Sequence, residues 1–383
     1  MSNRRLRWIG SILVLGLMGC GATEGPTLTA SATPSPSPTV ASALPSAPVP
    51  ATSSVPSSTP EYTGITRGLI LAGCMKLGED EFIQAVQLNR AGNEVLRTSF
   101  AEPSDDATYH SNAECGSKDK RSAFNQDFTR LFVNREVSKT STTPGEVGIG
   151  YLSAEPDGQF VPLTTTPDEF TAVKNGVPSY DTGGGRVYYC DNAKSPSKLV
   201  STTIDGHDAR DELELQALQL KGKCSDPIMA GTKKPVVKVA GKSTVYDETG
   251  TTSISVAEKT ASPSFTVNKN GREKIYKLSV SDFNIRDLEL VGFLNEGSVV
   301  FTDTQKIYVA ALSGTVAKVT TPLDNTIEDI EITDVMISAD KKDIAFITQQ
   351  GELTKLYLLS VESGVRTGPT TLDNDDYRLV QFD

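Results

Sequence analysis

The chain has 383 residues, 37% hydrophobic and 22% charged, an ordinary globular composition with room for one large folded body or two modest ones. Its 37 Lys and Arg side chains face 48 Asp and Glu, a formal net charge of -11 that repels phosphate backbones. Nucleic acid is therefore not an expected partner.

The N-terminal stretch "MSNRRLRWIGSILVLGLMGC" opens with Arg4, Arg5 and Arg7 and carries an apolar core from Ile9 to Met18. That core is too short to cross the ~30 Å of a bilayer as a helix, so residues 1–19 read as a signal peptide rather than an anchor. Leu17-Met18-Gly19-Cys20 resembles the bacterial lipobox: an aliphatic residue, a tolerant position, a small residue and then cysteine. The resemblance implies that the Cys20 thiol is acylated with diacylglycerol and becomes the first residue of a lipid-tethered protein on the cell membrane or outer membrane, facing away from the cytoplasm. Gly21, rather than aspartate, follows the cysteine, which in a two-membrane envelope points to the outer membrane. Without the leader, 34 basic side chains would face 48 acidic ones, and the single tryptophan, Trp8, would be gone.

From Pro26 to Pro60 the chain is Pro, Ser, Thr and Ala with scattered Val and Leu and no charge. Such a segment buries too little apolar surface to offset chain entropy, and its prolines favour extended polyproline II. Residues 20–62 thus read as a disordered stalk, reaching on the order of 100 Å if fully extended at ~3.1 Å per residue.

The folded body is expected over residues 63–383. Apolar residues alternate there with period two and are broken by Gly, Asn and Asp about every ten residues, the pattern of a meandering all-β protein without amphipathic helices. Hairpins are predicted around Ala91-Gly92-Asn93, Pro156-Asp157-Gly158, Asn270-Gly271, Ser313-Gly314 and Ser363-Gly364. Asn270-Gly271 matches a type I′ turn, which wants positive φ at both central residues. "KIYVAALSGTVAKVTT" and "KLYLLSVESGVRTGPT" are near copies, with Lys306 matching Lys355 and Tyr308 matching Tyr357.

The stretches preceding such hairpins repeat as well. "SADKKDIAFIT", "SYDTGGGRVYYC", "FNQDFTRLFVN" and "LNEGSVVFTD" each set a polar turn before an apolar, aromatic strand. Turn, strand and hairpin together make one propeller blade of four antiparallel strands in ~40 residues. At Ser338, Asp340, Ile344, Ala345, Phe346, Leu356 and Tyr357 the chain resembles the WD40-like propeller repeat of the TolB type, with Ala339 in place of its proline and Lys341 in place of its glycine. The resemblance implies an all-β propeller of about six four-stranded blades, near residues 66–118, 119–170, 171–210, 211–283, 284–325 and 326–372. The region 211–283 is the least regular. The final "YRLVQFD" would close the ring by pairing with the first or last blade, whereas a pair of β-sandwiches is the competing architecture.

Besides Cys20 the chain holds Cys74, Cys115, Cys190 and Cys224, an even number that reads as two disulfides in an exported body. Three pairings are possible, and joining nearest neighbours keeps each bond within or between adjacent blades. No Cys-x-x-Cys spacing exists and only two histidines are present, so neither a zinc site nor any other cofactor is expected.

Catalytic signals are sparse. No Gly-x-Ser-x-Gly elbow occurs. Two stretches bring His and carboxylates together: Asp105, Asp106, His110 and Glu114, and Asp205, His207, Asp208 and Asp211. Neither follows a calcium-loop spacing, and both read as solvated loops, as does Asp373 to Asp376. Gly183 to Gly185 falls in a strand-to-strand turn and not before a helix, so it is no phosphate cradle. The expected function is a binding or scaffold module for an envelope protein or polymer. A hydrolase acting on glycans or peptides through channel carboxylates is the alternative, and it requires two of them to converge at one mouth.

Overall fold

The computed structural model describes residues 67–383 apart from 78–79, 139–145, 155–157, 166–175, 193–194, 220–221, 239–243, 257–263, 280–287, 304 and 321–330. The leader, Cys20 and the stalk lie outside the described residues.

The strands form a β-propeller of six four-stranded blades. Blade 1 pairs Leu69–Leu77, Asp80–Leu88 and Glu94–Ala101, and its innermost strand is the C-terminal Arg378–Phe382. Blade 2 runs Ala107–His110, Arg130–Val137, Glu146–Ser153 and Phe160–Thr165. Blade 3 runs Ser179–Asp181, Arg186–Asp191, Lys198–Thr203 and Arg210–Asp211. Blade 4 comprises Thr244–Tyr246, Thr252–Val256, Ser264–Lys269 and Arg272–Leu278. Blade 5 comprises Glu289–Asn295, Ser298–Thr302, Ile307–Ser313 and Val316–Thr320. Blade 6 comprises Glu331–Ile337, Asp343–Gln350, Leu353–Ser360 and Arg366–Leu372. The C-terminal strand closes the ring on the first blade, pairing Leu69 with Phe382 and Ala72 with Arg378.

Two features depart from a plain six-fold ring. The region 211–283 is not one blade, because its first part holds a short helix, Leu213–Leu218, and a two-stranded ribbon of Ile228–Met229 and Val237–Lys238. The ribbon packs Met229 and Val237 on Tyr188 and Leu199 of blade 3, and the Lys233 amide donates to the Glu248 carbonyl beside blade 4 at 2.6 Å. It fills the gap between those blades. Blades 4 and 5 also join at their outer strands, where Lys277 and Leu278 pair in parallel with Val316 and Ala317 to make one eight-stranded sheet around Phe265 and Phe301.

The interior is a set of wedges between blades. Ile70, Phe100, Phe124 and Leu131 fill the wedge between blades 1 and 2, and Val300, Ile307, Ile344 and Phe346 fill that between blades 5 and 6. The period-two alternation seen in the sequence follows from this, since each blade buries a face against a neighbour. The near-copy hairpins place a Phe–Tyr pair at the same register: Phe301 stacks on Tyr308 at 5.1 Å and Phe346 on Tyr357 at 5.2 Å, and both are direct cross-strand partners. Cross-strand aromatic pairs of this kind hold the second and third strands of a blade together.

The polar turns of the repeat are built from side-chain caps. Ser338 Oγ donates to Asp340 Oδ1 at 2.8 Å, Asp340 Oδ1 accepts from the Lys342 amide at 3.1 Å, and Ser338 Oγ accepts from the Asp343 amide at 2.9 Å. In blade 2, Asn125 takes the place of Ser338 and its Oδ1 accepts from the Thr129 and Arg130 amides, both at 3.0 Å. The residue after the central Asp is left-handed in both turns, Lys341 at φ 63 and Phe128 at φ 57. This is why the TolB-type repeat has glycine there: only glycine adopts that conformation without a Cβ penalty.

Lys341→Gly is therefore expected to raise stability by roughly 0.5 kcal/mol. It releases left-handed strain of ~1–2 kcal/mol, against ~0.4–1 kcal/mol of unfolded-chain entropy and ~0.2–1 kcal/mol for a partly exposed ion pair with Glu248. A urea unfolding midpoint below that of the parent protein would contradict it. The type I′ turn is present as expected, with Asn270 at φ 52 and Gly271 at φ 78.

Candidate ligand channel

The blades enclose a cavity of about 2310 Å³. Its wall includes the innermost strands Glu289–Asn295, Glu331–Ile337, Thr244–Tyr246 and Arg378–Phe382, together with the segment 118–122 that follows the inner strand of blade 2. Among the described residues, eleven Lys and Arg side chains line it against eight Asp and Glu, a charge bias opposite to that of the chain as a whole. Three ion pairs link separate parts of the ring across its rim. Lys269 of blade 4 meets Glu296 after the inner strand of blade 5 at 3.6 Å, Lys341 after the inner strand of blade 6 meets Glu248 beside blade 4 at 3.4 Å, and Lys238 of the ribbon meets Asp119 at 3.2 Å.

Asp334 stands inside this wall. Its Oδ2 accepts from the Leu379 amide at 2.6 Å, tying the inner strands of blades 6 and 1, and its Oδ1 accepts from the Val335 amide at 2.9 Å. Although the residue as a whole is half-buried, its carboxyl is enclosed, and this burial pushes its pKa up to about 6. The two amides and Arg378 oppose the rise, while Glu289 on the neighbouring inner strand adds to it.

A native carboxyl raised above its unfolded value contributes stability at low pH that is lost as pH rises, here between about 4 and 6. Subtracting the stability–pH profile of Asp334→Asn from that of the parent should isolate a fall across this window. A flat difference would show that Asp334 titrates normally. The sequence holds one hint of Asp334, a charged residue interrupting the apolar run "EITDVMI", but nothing in the pattern marks it as facing the channel.

The segment 118–122 supplies two further cations. Lys120 is buried, with its ammonium 2.9 Å from Asp376 and donating to the Ala113 and Glu114 carbonyls at 2.9 and 2.6 Å. Arg121 donates through Nη1 to the Phe124 and Asn125 carbonyls at 2.9 and 3.2 Å, and its guanidinium lies 4.7 Å from the Phe128 ring centroid. Burial lowers its pKa to about 10, with Tyr180 and Asp383 acting in the opposite direction. On the closing strand, Arg378 donates through Nη1 to the Asp375 and Tyr377 carbonyls, and its buried Nε has no hydrogen-bond partner among the described residues.

The side chains of the two His-containing acidic stretches are absent from this lining, and Arg or Lys side chains pair with Asp105, Asp205, Asp208 and Asp211. Asp105 is 2.9 Å from Arg135 and accepts from the Tyr109 hydroxyl, and His110 Nδ1 is 3.2 Å from Glu114. Asp106 is exposed in the same turn. Asp205 is 3.3 Å from Arg130, Asp208 is held by Arg186 and Arg210, and Asp211 pairs with Lys198. His207 engages Thr203 through its backbone. Asp373 lies 3.3 Å from Arg97. Gly183 to Gly185 form the turn between the first two strands of blade 3, where the Asp181 carboxylate accepts from the Gly183 and Gly184 amides.

Cys74 joins Cys115 and Cys190 joins Cys224, the nearest-neighbour pairing, which belongs to a protein folded outside the reducing cytosol. The described residues offer one further set with metal-ligand spacing, Cys74, Cys115 and Asp376, and its sulfurs are consumed by the disulfide.

No family model matches the chain, and neither does any curated protein. Among solved structures, TolB from Acinetobacter baumannii is similar over 82% of this chain and 67% of its own, at 11% identity and a TM-score of 0.38. An oligogalacturonate lyase in complex with manganese is similar over 80% and 75%, at 10% identity and a TM-score of 0.36. The β-propeller domain of the Trilobed protease from Pyrococcus furiosus follows over 80% and 85%, at 8% identity and a TM-score of 0.31. At such scores these likenesses carry no argument about ligand or chemistry.

Proposed function

We propose that this protein is a lipid-anchored, extracytoplasmic binding module whose propeller channel holds an envelope protein or polymer. The observation that carries the reading is the cavity of about 2310 Å³ walled by the inner strands, with three of its lining bases held in ion pairs between separate parts of the ring. Ligand sites are concave and largely preformed, and a cleft of this size lined by charged side chains suits a polar macromolecule better than a small apolar ligand. The lipobox-like Leu17 to Cys20, the uncharged stalk and the two disulfides support the placement outside the cytoplasm.

The test is a crosslinking pull-down from intact cells with the tethered protein as bait, against Cys20→Ala. A specific envelope partner captured by the parent and lost in the variant supports the reading. No captured component, with the protein abundant at the cell surface, sinks it.

One observation favours a hydrolytic reading: Asp334 holds its proton up to about pH 6 close to Glu289, as a general acid beside a second carboxylate would. Turnover on a broad glycan panel, abolished by both Asp334→Asn and Glu289→Gln, would establish it. Absence of turnover by the parent protein would remove it.

A further inference from the structure

Among the described residues the cavity is lined by more cations than anions, which is unexpected inside a chain with 48 acidic and 37 basic side chains. In a low-dielectric cleft such a bias focuses field and concentrates counter-ions of the opposite sign. The rim pairs account for three of the lining cations and Asp376 for Lys120. Arg121 is different. It lines the cavity and is half-buried, and among the described residues its partners are two carbonyls and an aromatic face, with no carboxylate at ion-pair distance. Burial lowers its pKa although Asp383 acts against the change. A partly desolvated guanidinium without a carboxylate at ion-pair distance is costly, and an incoming carboxylate or phosphate, which its planar fork fits, would offset that cost. Lys118, exposed on the same segment, and Arg378, whose buried Nε has no hydrogen-bond partner among the described residues, extend the cationic lining.

We propose that the channel binds an anionic envelope polymer through its carboxylate or phosphate groups, with Arg121 as the principal anchor and Lys118 as a second, more exposed contact. This rests on the channel being the binding face and adds the charge of what it holds. Arg121 also packs on Phe128, so Lys118→Gln, which removes an exposed side chain, serves as the variant that leaves the fold intact.

Isothermal titration calorimetry of the detergent-solubilised full chain tests it, with polyglutamate as the carboxylate polymer, inorganic polyphosphate as the phosphate polymer and dextran as the neutral one. The expected result is binding to at least one polyanion and none to dextran, weakening as salt is added. The affinity should fall about tenfold in Arg121→Met and about threefold in Lys118→Gln, as for loss of a charge-assisted contact. It should be unchanged in Lys318→Gln, an exposed lysine of blade 5 outside the cavity. Which polymer binds tells carboxylate from phosphate.

No binding to either polyanion at low salt overturns the inference. So does binding that Lys118→Gln leaves unchanged, or that Lys318→Gln weakens equally. A partner captured in the pull-down that neither polyanion displaces would overturn it while leaving the channel reading intact.

Discussion

Asp376→Ala is expected to cost about 3–5 kcal/mol of stability, the range for breaking a buried ion pair by removing one partner. Lys120 has no side-chain exposure and Asp376 only 13%, so the ammonium left behind has little access to water. The loss extends beyond the pair. Asp376 Oδ2 accepts from the Cys74 amide at 2.9 Å and Oδ1 from the Gly116 amide at 2.8 Å, so one carboxylate ties blade 1, the loop at Gly116 and the segment at Lys120 to the turn preceding the closing strand. Urea unfolding followed by circular dichroism would measure the cost, and a loss below about 1 kcal/mol would show that water reaches Lys120. Lys120→Met combined with Asp376→Ala should cost less than the two single changes added, because no unpaired charge then remains.

The second large effect comes from the disulfides. Replacing Cys74 and Cys115 by serine opens a loop of 41 residues, and replacing Cys190 and Cys224 opens one of 34. Loop entropy predicts a loss of about 4 kcal/mol in each case, with a difference of only a few tenths. A markedly larger loss at Cys74–Cys115 would mean that this bond also holds the ring closure in the native state, because the Cys74 amide is itself bound to Asp376. The same contact implies that Asp376→Ala and removal of Cys74–Cys115 are coupled by ~0.5–3 kcal/mol, as for residues sharing a network. Additivity within about 0.3 kcal/mol would separate the two.

Most of the fold is legible in the sequence because blades are local objects. Asn270-Gly271 announces its turn through backbone preference, and Tyr308 and Tyr357 announce their register through repetition. The region 211–283 was harder. A six-residue helix and two two-residue strands fall below the length at which hydrophobic period distinguishes a blade strand from an insertion, and what orders them is packing on Tyr188 and Leu199.

The channel was hardest. His110 and the Asp205 to Asp211 stretch attract attention because they cluster along the chain, yet Asp105, Asp205, Asp208 and Asp211 are each paired with an Arg or Lys. Asp334, Glu289, Arg121 and Arg378 are scattered along the sequence and become neighbours of one cavity only when the ring closes.

The sequence by itself determined the fold class: alternating strands, capped polar turns and two disulfides' worth of cysteine, each written in residues that interact over short separations. Tertiary structure alone decided that the closing segment 378–382 pairs with the first blade rather than the last, that blades 4 and 5 merge into one sheet, and that the described lining of the cavity is biased toward cations in a strongly acidic chain. These depend on contacts between segments up to about three hundred residues apart, such as the Cys74 amide with Asp376, and on which side chains face the axis, information that a local pattern does not contain.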